Sequence, residues 1–575
     1  MKRLAVAVLL LTGVSAVLAQ PHDTRTSGPS ETLLRAMQDE MARTLEHLRL
    51  EDLPEPYFLA YTVLETHRLE LQGNFGALER PVEADSRRIQ VEVRTGSREF
   101  DDRHFVGSQG QTYRPVTGVL PVEDDYDVLR AELWALTDKS YKSAVERLTH
   151  KTVYRESNNI LDVLPDLSED PVLSSVETLA TGPFEREKWE QAIRDISGVF
   201  RSFPAIQSSS VDLLWRAQHV YFVDSEGRSY VKPGHWFELR MKGAAQAADG
   251  MIQSDYRQLV WSALDHVPPV DALKAEAEQL ARDVTALADA PKVETYLGPV
   301  LLEGQAAGEF FNQLLASGLA NPREVWVEQK WSAQHYKTGA LTKRLGLRVI
   351  APIFDVVDDP TRADFRGRPL TGHYKIDEQG IPAQRVQLVE RGILRDLLMS
   401  RSPTRDRKVS NGHGRGGFYA PATAVIGNLF VTPTTTMSFE KMKRRLREEA
   451  KAFGLSHGIL IRRIAEERRR SRDELLARPV LVYEVDVETG EERLLRDAVF
   501  SAITLRALRD IVAASNEQHV YNLAKPGPFA SSATSRASIV HPSVLLSEME
   551  LVETERKPSK PPYLKHPFFD TAAKN

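Results

Sequence analysis

Between Asp358 and Arg415 the chain gathers the residue types that a binding or catalytic site needs. In order they are Asp358-Asp359-Pro360, Asp377-Glu378-Gln379-Gly380-Ile381-Pro382, and Ser410-Asn411-Gly412-His413-Gly414-Arg415. Asp377, Asn411, His413 and Arg415 are candidate ligand contacts, because carboxylate, amide and imidazole groups hydrogen-bond and a guanidinium fork matches a carboxylate. Gly412, Gly414, Gly416 and Gly417 allow the backbone to approach a ligand closely or to turn sharply. The bland alternative is a solvated surface loop, rich in glycine only because it turns. The residues alone name no reaction.

A patterned hairpin stands before this loop. Arg385 to Val389 and Ile393 to Met399 are β-compatible runs about Glu390-Arg391-Gly392, where the glycine suits a tight turn. Long, well-anchored strands here would present the loop on a rigid scaffold. Upstream, Leu33, Leu34, Met37, Met41, Leu45 and Leu48 predict an amphipathic helix over 30–48. Strands follow at 57–65 and 88–94, then helices at 126–148 and 185–200, and strands again within 209–241, turning at Asp224 to Gly227. Leu273, Ala277, Leu280, Val284 and Leu287 make one apolar face of a helix over 270–288, ended by Pro291. A domain boundary is expected there, between an extended Tyr296 to Leu302 and what precedes it, with a new helix over 305–315. Ser438 caps a predicted helical segment over 438–476, whose Lys443-Arg444-Arg445 and Arg468-Arg469-Arg470 runs alternate with glutamates and read as a solvated face. A last hairpin is expected at 480–487 and 493–500 about Glu488-Thr489-Gly490. There are no solenoid repeats.

At 575 residues the chain exceeds one hydrophobic core, and 42% hydrophobic with 27% charged residues describes a soluble globular protein. A net charge of -5 gives no nucleic-acid footprint. Lys2 and Arg3, the apolar Leu4 to Leu11 and the small residues up to Ala19 predict a signal peptide over 1–19, hence an exported, periplasmic protein without a membrane span after cleavage. The absence of cysteine removes disulfides, thiol nucleophiles and thiolate ligands. The proline- and lysine-rich 556–575 is expected to be a flexible tail.

Taken with Gly298-Pro299-Val300-Leu301-Leu302, with Asp377 to Pro382, with Glu390 to Leu394, with Ser410 to Arg415 and with His541 to Leu546, the sequence resembles the TldD/PmbA family, also called modulators of DNA gyrase. The resemblance implies an α+β fold in two domains, an N-terminal sheet-and-helix domain over 20–290 and a largely antiparallel β C-terminal domain over 291–555. It also implies a metallopeptidase or a partner subunit of one. Catalytic members carry HExxxH after the G-P-V-L strand and a late cysteine, which together hold zinc and supply a general base. On this resemblance the motif falls on Glu303-Gly304-Gln305-Ala306-Ala307-Gly308, where only Glu303 could touch a cation, and the late stretch reads Pro528-Phe529-Ala530-Ser531. No two of the fifteen histidines are spaced as helical metal ligands, although His335, His373 and His413 could meet from distant segments.

The first functional expectation is therefore a non-catalytic, PmbA-like peptide-binding or partner subunit. Its zinc resides in a relative that keeps HExxxH, with which it forms a hetero-oligomer, a homodimer being the alternative assembly. The second is an active peptidase using Glu303 with His413 and Asp377. A literal gyrase role conflicts with export, and a structural envelope protein would leave a flat surface around Asn411.

Overall fold

The computed structural model describes residues 29–556 except 49–52, 80, 109–111, 178–183, 330, 332–338, 417, 419–420, 466–474, 502 and 527–532. The expected signal peptide, the tail from 557, His335, the Arg468-Arg469-Arg470 run and the Pro528 to Ser531 stretch lie outside the described residues.

An N-terminal sheet is built on three long antiparallel strands, β1 (Pro56–Asn74), β5 (Ile206–Asp224) and β6 (Ser229–Gln246). Around them stand β2 (Val82–Thr95), β3 (Val116–Leu120), β4 (Ser174–Val176) and β7 (Ile252–Trp261), in the order β3-β2-β1-β5-β6-β4 with β7 also on β6. Alternation decides the faces. Leu59, Tyr61, Val63, Leu69 and Leu71 point to one side of β1, and four helices cover that side. Helices α1 (Glu31–His47) and α2 (Tyr126–Ser157) bring Leu33, Met37, Leu129 and Leu133 to one end, and α3 (Arg186–Gly198) and α4 (Val270–Asp289) bring Ile193, Ile196, Leu280 and Val284 to the other. Ser30 and Asp125 accept the first free N–H groups of α1 and α2. On the opposite face Phe58, Ala60, Phe222 and Tyr230 pack with Leu167 and with Ile376 of the C-terminal half.

The C-terminal sheet contains β8 (Tyr296–Leu302), β9 (Phe354–Asp358), β10 (Val386–Glu390), β11 (Ile393–Leu394), β12 (Asn428–Pro433), β13 (His457–Ile464), β14 (Pro479–Asp486), β15 (Glu492–Leu495), β16 (Ala498–Ser501), β17 (Ile511–Pro526) and β18 (Ala533–Glu553). Their order is β11-β10-β9-β12-β18-β8-β13-β14-β15, with β16 and β17 also pairing β18. The pairing is largely antiparallel, the exceptions being β8 with β13 and β12 with β18. Val300 and Leu302 face a core filled by Phe310, Phe311, Leu314 and Leu315 of the helix α5 (Gln305–Phe310) and its continuation. Leu301 faces the other way, onto Met442 and Leu446 of α6 (Phe439–Ala452).

Two expectations need correction. The helix capped by Ser438 ends at Ala452 instead of reaching 476, because Gly454 turns the chain at φ 77° and 457–464 becomes the interior strand β13. The hairpin after β10 has a return arm of only two residues, Ile393 and Leu394; Arg391 and Gly392 both take positive φ, the I′ geometry, and the chain then leaves the ladder.

Candidate functional site

The segment from Asp358 to Arg415 is folded inward. Asp358 ends β9 and is fully buried, accepting the Gly427 N–H at 3.1 Å on each carboxylate oxygen and facing His413 Nε2 at 3.1 Å. The other ring nitrogen of His413, Nδ1, stands 2.9 Å from the Asn411 carbonyl. Asn411 spends its own amide on the Met399 N–H (2.7 Å) and the Leu397 carbonyl (2.9 Å). Asp377 accepts the Gln379 and Ile381 N–H groups on one oxygen, each at 2.9 Å, and the Gly414 N–H on the other at 2.8 Å. Burial pushes the Asp377 carboxyl up to about 6, against the pull of those N–H groups.

The presented recognition loop expected from sequence is thus, for Asp377, Asn411 and His413, a set of internal fastenings. The glycines serve the same end: at Gly412, φ 74°, a side chain would strike the Pro382 carbonyl. Arg415 is buried against the Tyr374 ring and donates to the Ile426 carbonyl at 2.8 Å. His373 is exposed and faces the Pro360 carbonyl, apart from His413.

Glu303 lies elsewhere. It follows β8 and pairs with Arg462 of β13 at 2.9 Å. Asp358 with its His413 is three strands away across β18 and β12, about 14 Å at ordinary strand spacing. The convergence of Glu303 with His413 and Asp377 is not formed.

A second polar cluster, missed in sequence, lies on the helix itself. The helix starts at Gln305 and continues through a π-helical turn at Phe311–Leu315 to Gly318, and such turns recur at functional sites. The buried Glu309 carboxylate accepts from the Tyr521 hydroxyl of β17, from the Asn312 amide at 3.1 Å and from the Gln313 amide at 2.7 Å. Gln313 also donates to the Ala465 carbonyl and accepts the Ala477 N–H at 2.7 Å. Beneath Gly308, His541 of β18 is buried with Nδ1 facing the Pro542 carbonyl at 3.1 Å and Nε2 without a hydrogen-bond partner. Burial pushes this imidazole down to about 3.

Glu309, Asn312 and Gln313 fall within the helix expected over 305–315, and nothing local in sequence marks them as a cluster. The positions to which the resemblance assigns the motif, Glu303 to Gly308, run from the end of β8 into the first turn of α5. Gly304, at φ 51°, precedes the helix, so no helical ligand set can start at Glu303. With Glu303 held by Arg462 and only Gly304, Gln305, Ala306, Ala307 and Gly308 beside it, the stretch does not fit zinc, which takes imidazole, thiolate or carboxylate. Among the described residues no three His, Cys, Asp or Glu side chains are grouped to hold a metal ion.

Residues 295–553 match the family model described as the PmbA/TldA metallopeptidase C-terminal domain. No curated protein matches the sequence. Three solved structures share the fold. A protein of Thermotoga maritima described as a modulator of a DNA gyrase has a TM-score of 0.59 and 14% identity, over 90% of this chain and 99% of that one. TldE of Thermococcus kodakarensis has a TM-score of 0.54 and 12% identity, over 90% of this chain and all of that one. A modulator of DNA gyrase of Bacteroides thetaiotaomicron gives 0.56 and 11%, over 91% of this chain and 100% of the other.

Proposed function

From the premise that this chain, by its C-terminal domain, belongs to the TldD/PmbA family, we propose that it is a non-catalytic subunit in proteolysis. It binds peptide and works beside a relative that keeps HExxxH and its zinc. One observation carries this reading. Where the resemblance places two imidazoles and a carboxylate, the chain holds Glu303, Gly304 and Gly308, and Glu303 is paired with Arg462. Glycine offers neither a ligand nor a base, and one carboxylate held by an arginine does not make a zinc site. The fold shared with TldE agrees with a partner role. The basic, apolar and small-residue order of residues 1–19 supports export to a periplasm.

Metal analysis of the purified chain tests the reading. Zinc should be substoichiometric, peptide cleavage by the chain alone absent, and a relative bearing HExxxH should co-purify and bring both. Cleavage by the isolated chain that a chelator abolishes would overturn the proposal.

A further inference from the structure

Nine arginines are buried among the described residues. Eight of them hold a carboxylate in an ion pair, as Arg94 does with Asp101, Arg228 with Asp224 and Arg496 with Asp249. Arg415 is the exception. It is 8% exposed, its guanidinium lies 4.8 Å over the Tyr374 ring, and it donates to a neutral carbonyl, that of Ile426. A ring face and one carbonyl compensate a buried charge only in part.

Two further cations stand with it. Arg536 of β18 lies 5.4 Å over the Trp236 ring and donates to the His235 carbonyl, again with no carboxylate in ion-pair reach among the described residues. Lys232 of β6 directs its ammonium to the Ile376 carbonyl at 3.4 Å. Burial, with the charge of Arg415 adding to it, pushes Arg536 down to about 10, and burial likewise lowers Lys232. The neighbouring carboxylate, Glu378, lies outside ion-pair distance of Arg415 and already accepts the Gly416 N–H at 2.7 Å. The other carboxylates that act on Lys232 are also engaged, Asp377 with the Gly414 N–H and Glu177 with Lys375, so none is an ion-pair partner of the three cations. Arg536 and Lys232 are only partly covered, so the cluster reaches solvent. The three side chains come from the N-terminal sheet, the glycine-rich loop and β18, and the charge of Arg415 acts on both of the others.

We propose that Arg415, Arg536 and Lys232 form a carboxylate-binding site that takes the C-terminal carboxylate of a short peptide. That the carboxylate belongs to a peptide rests on the function proposed above; the anion site itself rests on the unpaired charges. A carboxylate would receive paired N–H donors from a guanidinium and replace the missing counter-charge.

Calorimetric titration of the full chain with trialanine, free acid against C-terminal amide, tests the site. The free acid should bind at least about tenfold more tightly, the worth of one charge-assisted hydrogen bond. Arg536→Gln and Lys232→Gln, both at partly exposed positions, should each weaken the acid by a similar factor and leave the amide unchanged. Circular dichroism confirms that each variant is folded, and if Arg536→Gln fails to fold, Lys232→Gln carries the test. Equal binding of acid and amide, or unchanged acid binding in the folded variants, overturns the site. Inorganic phosphate competing as well as the free acid overturns its selectivity for a carboxylate. Should the site fail while the chain still co-purifies with a zinc-bearing relative, the subunit reading stands alone.

Discussion

His541 occupies the core beneath Gly308, and burial among Phe311, Tyr521 and His519 keeps its ring neutral far below the ordinary histidine range. Unfolding returns it to water, where it takes a proton near its usual value of 6.5. The folded pKa is the lower one, so its contribution is present above 6.5 and is lost as pH falls toward about 3, amounting to about 4 kcal/mol over three units. Urea unfolding between pH 7 and pH 4 should show His541→Gln losing less stability than the parent; parallel curves would refute the assignment. Sequence alone shows His541 beside Pro542 and gives no hint of this setting, because the residues that bury it lie on two other segments, α5 with its continuation and β17. The same holds for Asp358 and His413, which were visible as reactive types. Their partners, Gly427 and Asn411, turn them into fastenings, and a loop's composition does not distinguish a donor offered to a ligand from one already engaged.

Gly392 and Gly454 share nearly the same positive φ, 79° and 77°, yet their surroundings differ. A Cβ at Gly392 would meet the Ile350 carbonyl at 2.5 Å, whereas nothing lies within 4 Å of one at Gly454. Gly454→Ala should therefore cost only the left-handed backbone term, about 1 kcal/mol, and Gly392→Ala clearly more, because the backbone must also shift. Thermal melts of the two variants check the order, and equal losses would show that the β10–β11 turn relaxes freely. Elements with a local signal were readable: α1 and α4 announced themselves by apolar periodicity. Those set by tertiary context were not. Ile459 and Ile461 of β13 sit in a charged neighbourhood that continues the pattern of α6, and only their pairing with Val300 and Leu302 makes them a strand.

Arg401 joins the two halves of the molecule. It pairs with Asp170 at 3.3 Å and with Glu226 at 2.7 Å, donates to the Ser168 carbonyl at 2.8 Å and takes the Gln379 side chain on its own N–H. Removing one member of so buried a network strands the opposite charges, at about 3–5 kcal/mol. Arg401→Met should lower stability by that order and make limited proteolysis cut between the halves; a single unshifted transition with unchanged cleavage would contradict a joining role. The contacts of Arg401 with Asp170, Ser168 and Glu226, all more than 170 residues apart, have no local trace in sequence, although the fold class was legible through the family motifs. One more consequence lies in the order of synthesis. Strand β18, last of the described strands, pairs with β8, β12, β16 and β17. Until Ala533 to Glu553 has been made, the facing edges of β8 and β12 have no neighbour, while every strand of the N-terminal sheet already exists. The nascent chain thus passes through a stage with one completed sheet and one open at its centre, when its exposed edges are most prone to aggregate.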